Sequence, residues 1–360
     1  MNRTKRLGIL NSGGDCAGLN AVIASAVTAG ISMGYEFVGF ERGWEGLLNP
    51  MKYRFLGMDH IAGISSRGGT ILGTVNRGRF GAKAGEGDRR KIDPDILREA
   101  KTNLEKMECD GLIVIGGDGT LSGAAQLAET GVRIVGVPKT IDNDLGATDR
   151  TFGFSTAAQV VVDALDRIHT TAHSHGRVIL VETMGRHTGW IALRAGLAGG
   201  ADAILLPEFA FKVEDLVEYL REHQSKMGST VIAVAEGARL KEATVSRTAG
   251  AGEVRLGGVV YRIMEEIERL MNPDEFDLRA IVLGHIQRGG TPNSADRALS
   301  KSYGVAAVNA YKEGKYGEMV AYCNLKMITV PLKTATGGLK RVTAEAMEYQ
   351  TARQLGVFIH

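Results

Sequence analysis

The sequence is poor in the residues that mark several specialised classes of protein. Its three cysteines, Cys16, Cys109 and Cys323, are odd in number and widely spaced, which argues against a disulfide framework and against a zinc site. A formal net charge of only +2 gives no overall signature of nucleic-acid binding. No uninterrupted apolar run reaches membrane-spanning length, and no signal peptide fits the N-terminus. These absences favour a globular protein of a reducing cytoplasm, with no membrane or nucleic-acid partner.

Glycine, in contrast, is abundant. The chain has 48 glycines but only seven prolines in 360 residues, so it is not a low-complexity sequence. The glycine share is about twice the usual value of roughly 7%. Many tight strand-to-helix turns, and close approach of the backbone to a ligand, are therefore expected.

Short β-branched apolar runs alternate with helical segments along the whole chain. Residues 7–10 and 112–115 are examples of such runs, which are typical of buried parallel strands. The alternation predicts an α/β fold with doubly wound, mostly parallel sheets. Residues 42–49 and 243–252 are predicted to be loops, and helices are predicted at 187–197 and 344–354.

Two polar stretches follow neighbouring predicted strands. Gly116, Gly117 and Asp118 come after one strand, and Asp142 and Asp144 come after the next. Functional groups of open α/β sheets gather where parallel strands end. Glycines let backbone N–H groups approach anionic oxygens, and carboxylates hold the hard cation that neutralises them. The pattern predicts a site for magnesium and phosphates.

The N-terminal stretch at 12–15, Ser-Gly-Gly-Asp, stands between a strand and a small-residue helix. Strand, glycine turn and helix form a phosphate-binding arrangement, although this stretch alone also fits any tight turn. No G-x-x-x-x-G-K-[ST] motif is present. A dinucleotide fingerprint is nearly met at Gly117 and Gly119, but Ser122 stands at its third position, which makes it weak support.

Several basic residues stand at strand boundaries in the second half of the chain. His285 fits a satisfied core histidine as well as a ligand-binding one, and Arg288, followed by two glycines, favours an anion site. Arg177, Arg186 and Arg279 singly fit surface salt bridges. Together with Arg288 they would form a cationic pocket suited to a sugar phosphate.

Six motifs in order resemble the 6-phosphofructokinase family over nearly the whole chain. One of them, Gly-Gly-Asp-Gly-Thr, is shared with NAD kinases and lipid kinases, but the full set is specific. The motifs are Ser-Gly-Gly-Asp at 12–15, Gly-Gly-Asp-Gly-Thr at 116–120, Thr-Ile-Asp-Asn-Asp at 140–144, Met-Gly-Arg at 184–186, Ala-Glu-Gly at 235–237 and Gly-His-Ile-Gln-Arg-Gly-Gly at 284–290.

The resemblance implies phosphoryl transfer to the 1-hydroxyl of fructose 6-phosphate, giving fructose 1,6-bisphosphate in glycolysis. Asp142 matches the family's catalytic base, and Asp118 matches the carboxylate associated with magnesium, the implied cofactor. Gly14 matches a glycine whose N–H meets the transferred phosphate, while Thr140 and Arg186 match groups that stabilise its charge.

The resemblance also implies the two binding sets. The donor set is Gly14, Arg77, Gly117, Asp118, Gly119, Thr120 and Lys139. The substrate set is Thr140, Asp142, Asp144, Arg177, Met184, Gly185, Arg186, Glu236, Arg279, His285 and Arg288. Arg177 and Arg279 match arginines that a neighbouring subunit contributes, so a homo-oligomer is expected. Because tetramers are common in the family, a tetramer is the expected form.

Two α/β domains with the active site in the cleft between them are expected from the family. Residues 1–153 with 287–337 would form the donor domain, which binds nucleotide or phosphate and magnesium. Residues 154–286 with 338–360 would form the sugar-phosphate domain.

The phosphoryl donor stays open between ATP and pyrophosphate. ATP-dependent members usually have glycine at the position of Gly119 and often at that of Lys139, whereas pyrophosphate-dependent members pair aspartate with lysine. Gly119 leaves room for the α-phosphate of ATP, and a lysine can swing aside, so ATP is favoured. The family's donor-binding arginine usually stands where this chain has Asn76, and Arg77 is its expected substitute.

Two further functional hypotheses have less support from the sequence. A kinase for NAD or a lipid does not need the sugar-pocket set, which is Met184, Glu236, His285 and Arg288. A non-catalytic regulatory paralogue would be expected to lack the base or the magnesium carboxylate, yet Asp142 and Asp118 are both present.

The bacterial effector site of the family is lined by cations. The matching positions here are Ala24, Thr28, His169 and Met227. Without those cations an acidic phosphorylated effector has little to bind, so control by ADP or phosphoenolpyruvate is predicted to be weak or absent.

Overall fold

The computed structural model describes residues 3–76, 78–81, 91–241, 247–249, 253–255 and 257–359, so that Arg77 lies outside the described residues. The chain divides into two compact units. Unit 1 comprises Met1–Thr156 and Arg288–Leu339, and unit 2 comprises Ala157–Gln287 and Lys340–His360. The domain boundaries predicted after residues 153, 286 and 337 differ from these by one to three residues.

The strands of the described residues are as follows, in chain order. They are β1 Arg6–Asn11, β2 Glu36–Phe40, β3 Tyr53–Leu56, β4 Cys109–Gly116, β5 Ile134–Thr140, β6 Phe152–Gly153, β7 Arg177–Thr183, β8 Ala203–Leu205, β9 Thr230–Ala235, β10 Arg247–Ala249, β11 Glu253–Arg255, β12 Asp277–Val282, β13 Glu318–Cys323 and β14 Lys326–Pro331.

The α-helices of the described residues are numbered in the same way. They are α1 Leu19–Ser32, α2 Trp44–Leu47, α3 Met58–Ile61, α4 Pro94–Lys106, α5 Asp118–Ala128, α6 Phe154–His175, α7 Trp190–Ala198, α8 Val213–Met227, α9 Val259–Leu270, α10 Ser294–Lys312, α11 Leu332–Ala335 and α12 Met347–Gln354. In the described part of the chain, none of the helices is both long enough and apolar enough to span a membrane.

Unit 1 is built on a sheet with strand order β14-β13-β5-β4-β1-β2-β3, and β6 pairs with β5. The pairs from β13 through β2 are parallel, whereas β14 and β3 pair antiparallel at the edges. Residues 112–115 of β4 are fully buried, as expected for a central strand covered on both faces.

Unit 2 is built on a smaller sheet with strand order β12-β7-β9-β8, and all its pairs are parallel. The C-terminal α12 packs against α7, and Tyr349 and Ala352 lie in one apolar cluster with Ala192 and Leu193. Each unit thus carries a mostly parallel sheet with helices, and the predicted α/β fold class is confirmed.

The local predictions were less accurate. Residues 42–49 contain the short helix α2, and within the predicted loop 243–252 the described strand β10 pairs antiparallel with β11. Helix α7 begins at Trp190 instead of residue 187, because Thr188 N–H donates to Gly185 O and forms a turn first. The last helix begins at Met347 instead of 344.

Candidate active site

Three neighbouring strands of unit 1 bring the first three motifs together. The carboxyl ends of β1, β4 and β5 are adjacent, with Asn11 opposite Ile115 and Gly116 opposite Pro138. The pairing continues one residue further, since Ser12 N–H donates to Ile115 O at 3.0 Å. The stretches at 12–15, 116–120 and 139–144 therefore share one edge of the sheet, as the alternating pattern predicted.

Residues 12–15, which we call the glycine loop, are held on both sides. Gly13 has a φ of +84°, and its N–H donates to Val75 O at 3.1 Å. Thr74 Oγ1 donates to Gly13 O at 2.6 Å. A left-handed φ favours glycine, so Gly13 is required by the backbone itself.

Gly14 lies against the guanidinium of Arg288. A Cβ at position 14 would lie 2.7 Å from Arg288 Nη1 and 3.1 Å from its Cζ. The same Nη1 donates to Asp15 O at 3.1 Å. Arg288 thus packs directly on the glycine loop, and it does so within unit 1.

Lys139 lies beneath the glycine loop. Its side chain is 4% exposed, and Nζ donates to Gly14 O. Burial lowers the pKa of Lys139, while Cys16 and the carboxylates of Asp142 and Asp15 oppose that shift. Cys16 is fully buried beside this lysine, and burial raises the pKa of its thiol to about 12.

The second motif opens helix α5. Asp118 is the first helical residue, with Gly117 as N-cap, and Asp118 and Gly119 are half-buried. A Cβ on Gly116 would lie 2.3 Å from Thr120 Cβ, so only glycine lets the strand turn into the helix here. A carboxylate in the first turn lies where the helix dipole favours negative charge.

The third motif places Asp142 in a rigid turn. Asp142 is 6% exposed, and its backbone N–H donates to Thr140 Oγ1 at 3.0 Å. Asn143 has a φ of +51°, and its Oδ1 accepts from Thr151 N–H at 3.1 Å. Thr151 Oγ1 also donates to Thr140 O at 2.8 Å, and Asp144 is half-buried. These bonds fix the backbone of the turn that carries Asp142 at the strand end.

Within the described residues, no group of three or more His, Cys, Asp or Glu side chains is placed to hold a metal ion. Mg²⁺ in phosphate-transfer sites is usually held by one or two carboxylates plus substrate phosphates, and Asp118 is the residue predicted to supply one. The position of Asp118 in the first turn of α5 is compatible with such a carboxylate ligand.

In unit 2, residues 184–186 follow the central strand β7 and lie beside the end of β9. Glu236 Oε1 accepts from Gly185 N–H at 3.2 Å and from Arg186 N–H at 2.8 Å. Arg186 has a left-handed φ of +53°, which is uncommon for a residue with a side chain. A Cβ on Gly237 would lie 2.2 Å from Arg186 O, so the third residue of the Ala-Glu-Gly motif must be glycine.

The turn at Gly284–Arg288 is a short 3₁₀ helix after β12. His285 and Ile286 are exposed, so the interpretation of His285 as a core histidine is wrong. Gln287, in contrast, is only 1% exposed. Gln287 was not among the predicted site residues, although it belongs to the same motif as His285 and Arg288, which were.

Arg177 and Arg279 lie away from this end of the sheet. Arg177 Nε donates to Asp277 Oδ2 at 2.8 Å, and Arg279 Nη1 lies 2.5 Å from Asp277 Oδ1. The bond from Arg177, with help from Arg279, lowers the pKa of Asp277. Arg177 opens β7, six residues before Thr183, which is about 20 Å along a strand. Unit 2 therefore does not bring these two arginines to Arg186.

Glycine loops, an aspartate at a helix start and a buried carboxylate at adjacent strand ends are typical of α/β enzymes that bind and transfer phosphoryl groups. Comparison with known proteins narrows this class. The family model for phosphofructokinase matches residues 6–311. The chain belongs to the phosphofructokinase family, which confirms the resemblance seen in the motifs.

The names of individual relatives specify different phosphoryl donors. An ATP-dependent 6-phosphofructokinase of Chloroflexus aggregans is 48% identical over 99% of this chain and 98% of its own. A pyrophosphate–fructose 6-phosphate 1-phosphotransferase of Amycolatopsis methanolica is 46% identical over 95% of this chain and 98% of its own. Among solved structures, a phosphofructokinase of Saccharomyces cerevisiae matches with a TM-score of 0.78 and 31% sequence identity. The match covers 92% of this chain and 45% of the Saccharomyces cerevisiae chain.

Proposed function

We propose that the chain transfers the terminal phosphoryl group of ATP to the 1-hydroxyl of fructose 6-phosphate. The products are fructose 1,6-bisphosphate, ADP and a proton, in a cytoplasmic glycolytic step. One observation carries the proposal: Gly14, Asp118 and Asp142 lie at the ends of three adjacent strands of one sheet. Phosphoryl transfer needs those three kinds of group, an N–H donor, a magnesium ligand and a base.

Asp142 is the proposed base. A carboxylate fixed at a strand end accepts the proton of the attacking hydroxyl, which makes the oxygen a better nucleophile. The N–H of Gly14 and the hydroxyl of Thr140 donate to the phosphoryl oxygens. Asp118 would hold Mg²⁺, which would neutralise phosphate charge.

The residues of unit 2 are proposed to bind the sugar phosphate. Glu236 holds the backbone of residues 184–186 in place, so the exposed side chain of Arg186 projects from a well-positioned backbone. Met184 and the exposed His285 complete the proposed set. The predicted cleft that would unite both sets stays a prediction.

ATP is favoured as the donor. Relatives named for ATP reach slightly higher identity than those named for pyrophosphate. Lys139 donates to Gly14 O of its own chain, so its charge is already engaged, and Gly119 adds no side chain beside the phosphates. Both features are compatible with a nucleotide.

The first test compares initial rates with ATP and with pyrophosphate, using fructose 6-phosphate and magnesium. We expect turnover with ATP. Turnover with pyrophosphate alone would mean that Lys139 decides the donor. No turnover with either donor would contradict the proposal and favour the non-catalytic paralogue.

We also propose a homo-oligomer, with a tetramer expected, in which Arg177 and Arg279 serve a neighbouring subunit's site. Their distance from the carboxyl end of β7 supports this assignment. Substituting either with alanine should then weaken fructose 6-phosphate binding in the assembled enzyme. Mixing subunits that carry Arg177→Ala with subunits that carry Asp142→Asn should restore part of the activity.

Control by ADP or phosphoenolpyruvate is proposed to be weak. Ala24 is buried, and His169 Nε2 is hydrogen-bonded to Gly199 O at 2.9 Å. Titration with either ligand should change the KM for fructose 6-phosphate by less than about twofold. A strong, saturable shift in that KM would contradict this proposal.

A further inference from the structure

Three consecutive backbone N–H groups follow strand β7, and all three donate to side chains. Those of Gly185 and Arg186 donate to Glu236 Oε1, at 3.2 and 2.8 Å. That of Met184 donates to Gln287 Oε1 at 3.2 Å. A buried N–H group needs such a partner, so these two side chains determine the path of residues 184–186.

The side chain of Gln287 makes two bonds of opposite kind. Its Oε1 accepts from Met184 N–H, and its Nε2 donates to Gly284 O at 2.9 Å. Gln287 is 1% exposed, whereas the preceding His285 and Ile286 are exposed. The turn at Gly284–Arg288 therefore directs His285 outward because Gln287 is held inward.

The neighbouring backbone supports this arrangement. Leu283 N–H donates to Glu182 O at 3.1 Å, so the pairing of β12 with β7 continues to the start of the turn. Beyond that point, within the described residues, the bond from Met184 to Gln287 is the hydrogen bond that ties the two segments.

We infer that Gln287 is a positioning residue for the sugar-phosphate site, which sets the spacing between residues 184–186 and the turn that carries His285. This inference rests on the proposed function, because it deepens the role of that site. Both bonds of the Gln287 side chain are to backbone groups, so its effect on the substrate is indirect. Gln287 should therefore affect the affinity for fructose 6-phosphate and leave the affinity for ATP unchanged.

The test uses the full-length protein with Gln287→Met and Gln287→Glu. Methionine has a similar length and makes neither bond. We expect Gln287→Met to raise the KM for fructose 6-phosphate by about tenfold or more, with the KM for ATP within about twofold of the original. An unchanged KM for fructose 6-phosphate, or a loss confined to kcat, would overturn the inference.

Glutamate provides a test that does not depend on the methionine variant folding. A protonated carboxyl accepts and donates as the amide does, whereas an ionised carboxylate cannot donate to Gly284 O. The KM of Gln287→Glu for fructose 6-phosphate is divided by that of the original chain at the same pH. This ratio should fall towards one as the pH falls from about 8 to 6, because burial raises the pKa of a carboxyl group. A ratio that does not depend on pH would contradict the inference.

Gln159 offers a control of the same residue type in the same unit. It is exposed on α6, where its Nε2 donates to Asp163 Oδ1 at 2.8 Å. Gln159→Met should leave the KM for fructose 6-phosphate unchanged, and an equal rise there would overturn the specific role of Gln287. Calorimetric measurement of fructose 6-phosphate binding to the original chain distinguishes failure of the proposed function from failure of the inference about Gln287. No turnover and no binding would overturn the proposed function along with the inference, whereas normal turnover with unaffected Gln287 variants would overturn the inference alone.

Discussion

In the two units, side chains hold the proposed binding loops through different backbone groups: carbonyl oxygens in unit 1 and N–H groups in unit 2. In unit 1, cationic side chains bind carbonyl oxygens of the glycine loop, Lys139 at Gly14 and Arg288 at Asp15. In unit 2, side-chain oxygens accept from the N–H groups of residues 184–186. The same kind of strand end thus carries two different means of support.

The difference indicates what each loop offers to a ligand. Ser12 and Gly13 use their N–H groups for backbone bonds, whereas Gly14 and Asp15 are held through their carbonyl oxygens. The N–H groups of these last two residues can be directed at an anion, so unit 1 is suited to binding phosphate by its backbone. A segment whose N–H groups are already bound cannot do this. The binding proposed for unit 2 therefore depends on side chains such as Arg186, which need a backbone that is held in place.

The strongest test of the assignment to unit 1 is Asp142→Asn. An amide cannot accept the hydroxyl proton, so turnover should fall by about 10²- to 10⁴-fold. Fructose 6-phosphate binding, measured by calorimetry, should persist. Asp59→Asn, at an exposed position of the same unit, should leave turnover unchanged. Near-native turnover of Asp142→Asn would refute the proposed mechanism.

Gly14→Ala tests the support by cations. The new Cβ would lie 2.7 Å from Arg288 Nη1, and a flexible side-chain end can move aside. We expect the fold to survive, while displacement of Arg288 from Asp15 O lowers kcat/KM by up to about 10²-fold. Gly338→Ala, which has nothing within 4 Å, is the control. Steady-state rates that match the control would show that Arg288 does not shape the glycine loop.

Gly237→Ala is the corresponding change in unit 2. Its Cβ would lie 2.2 Å from Arg186 O, a backbone atom that cannot rotate away. Overpacking of this kind should cost about 1–3 kcal/mol of unfolding free energy. It should also raise the KM for fructose 6-phosphate by about tenfold, and the KM for ATP should rise less. Urea unfolding and initial rates measure both effects, and equal stability of Gly237→Ala and Gly338→Ala would contradict the close approach.

The smallest expected effect concerns the charge of Lys139. Burial lowers its pKa below the ordinary 10.5, so the unfolded chain binds more protons than the folded chain between the lowered value and 10.5. The stability of the original chain relative to Lys139→Met should therefore rise with pH across that window. Urea unfolding of both proteins from neutral to alkaline pH measures the slope. A relative stability that falls with pH would show that the lysine is stabilised as a cation in the fold.

The sequence allowed the fold class and the unit 1 motifs to be predicted, because glycines and aspartates directly after apolar runs report on strand ends. It did not place Arg288, which contacts Gly14 from 274 positions further along the chain. Such a contact depends on how distant segments pack, and no local pattern encodes it. The same holds for Gln287, whose partner Met184 belongs to another strand end.

Errors in local structure had physical causes too. Strand β3 was not identified because three of its four residues are exposed, so it lacks an apolar run. His285 was weighed as a core residue, since a single histidine in an apolar context gives no direction to its side chain. Only the burial of Gln287 reveals which way that turn faces.

The buried Cys16 has a consequence for chemical resistance. Its thiol touches no solvent and donates to Phe152 O at 3.8 Å, directly after the glycine loop. Because thiolate is the form that reacts with peroxides and disulfides, a thiol with a pKa of about 12 stays inert near neutral pH. The residue that directly follows the glycine loop is thus a thiol that an oxidant does not reach, and oxidative stress should leave this part of the chain unmodified.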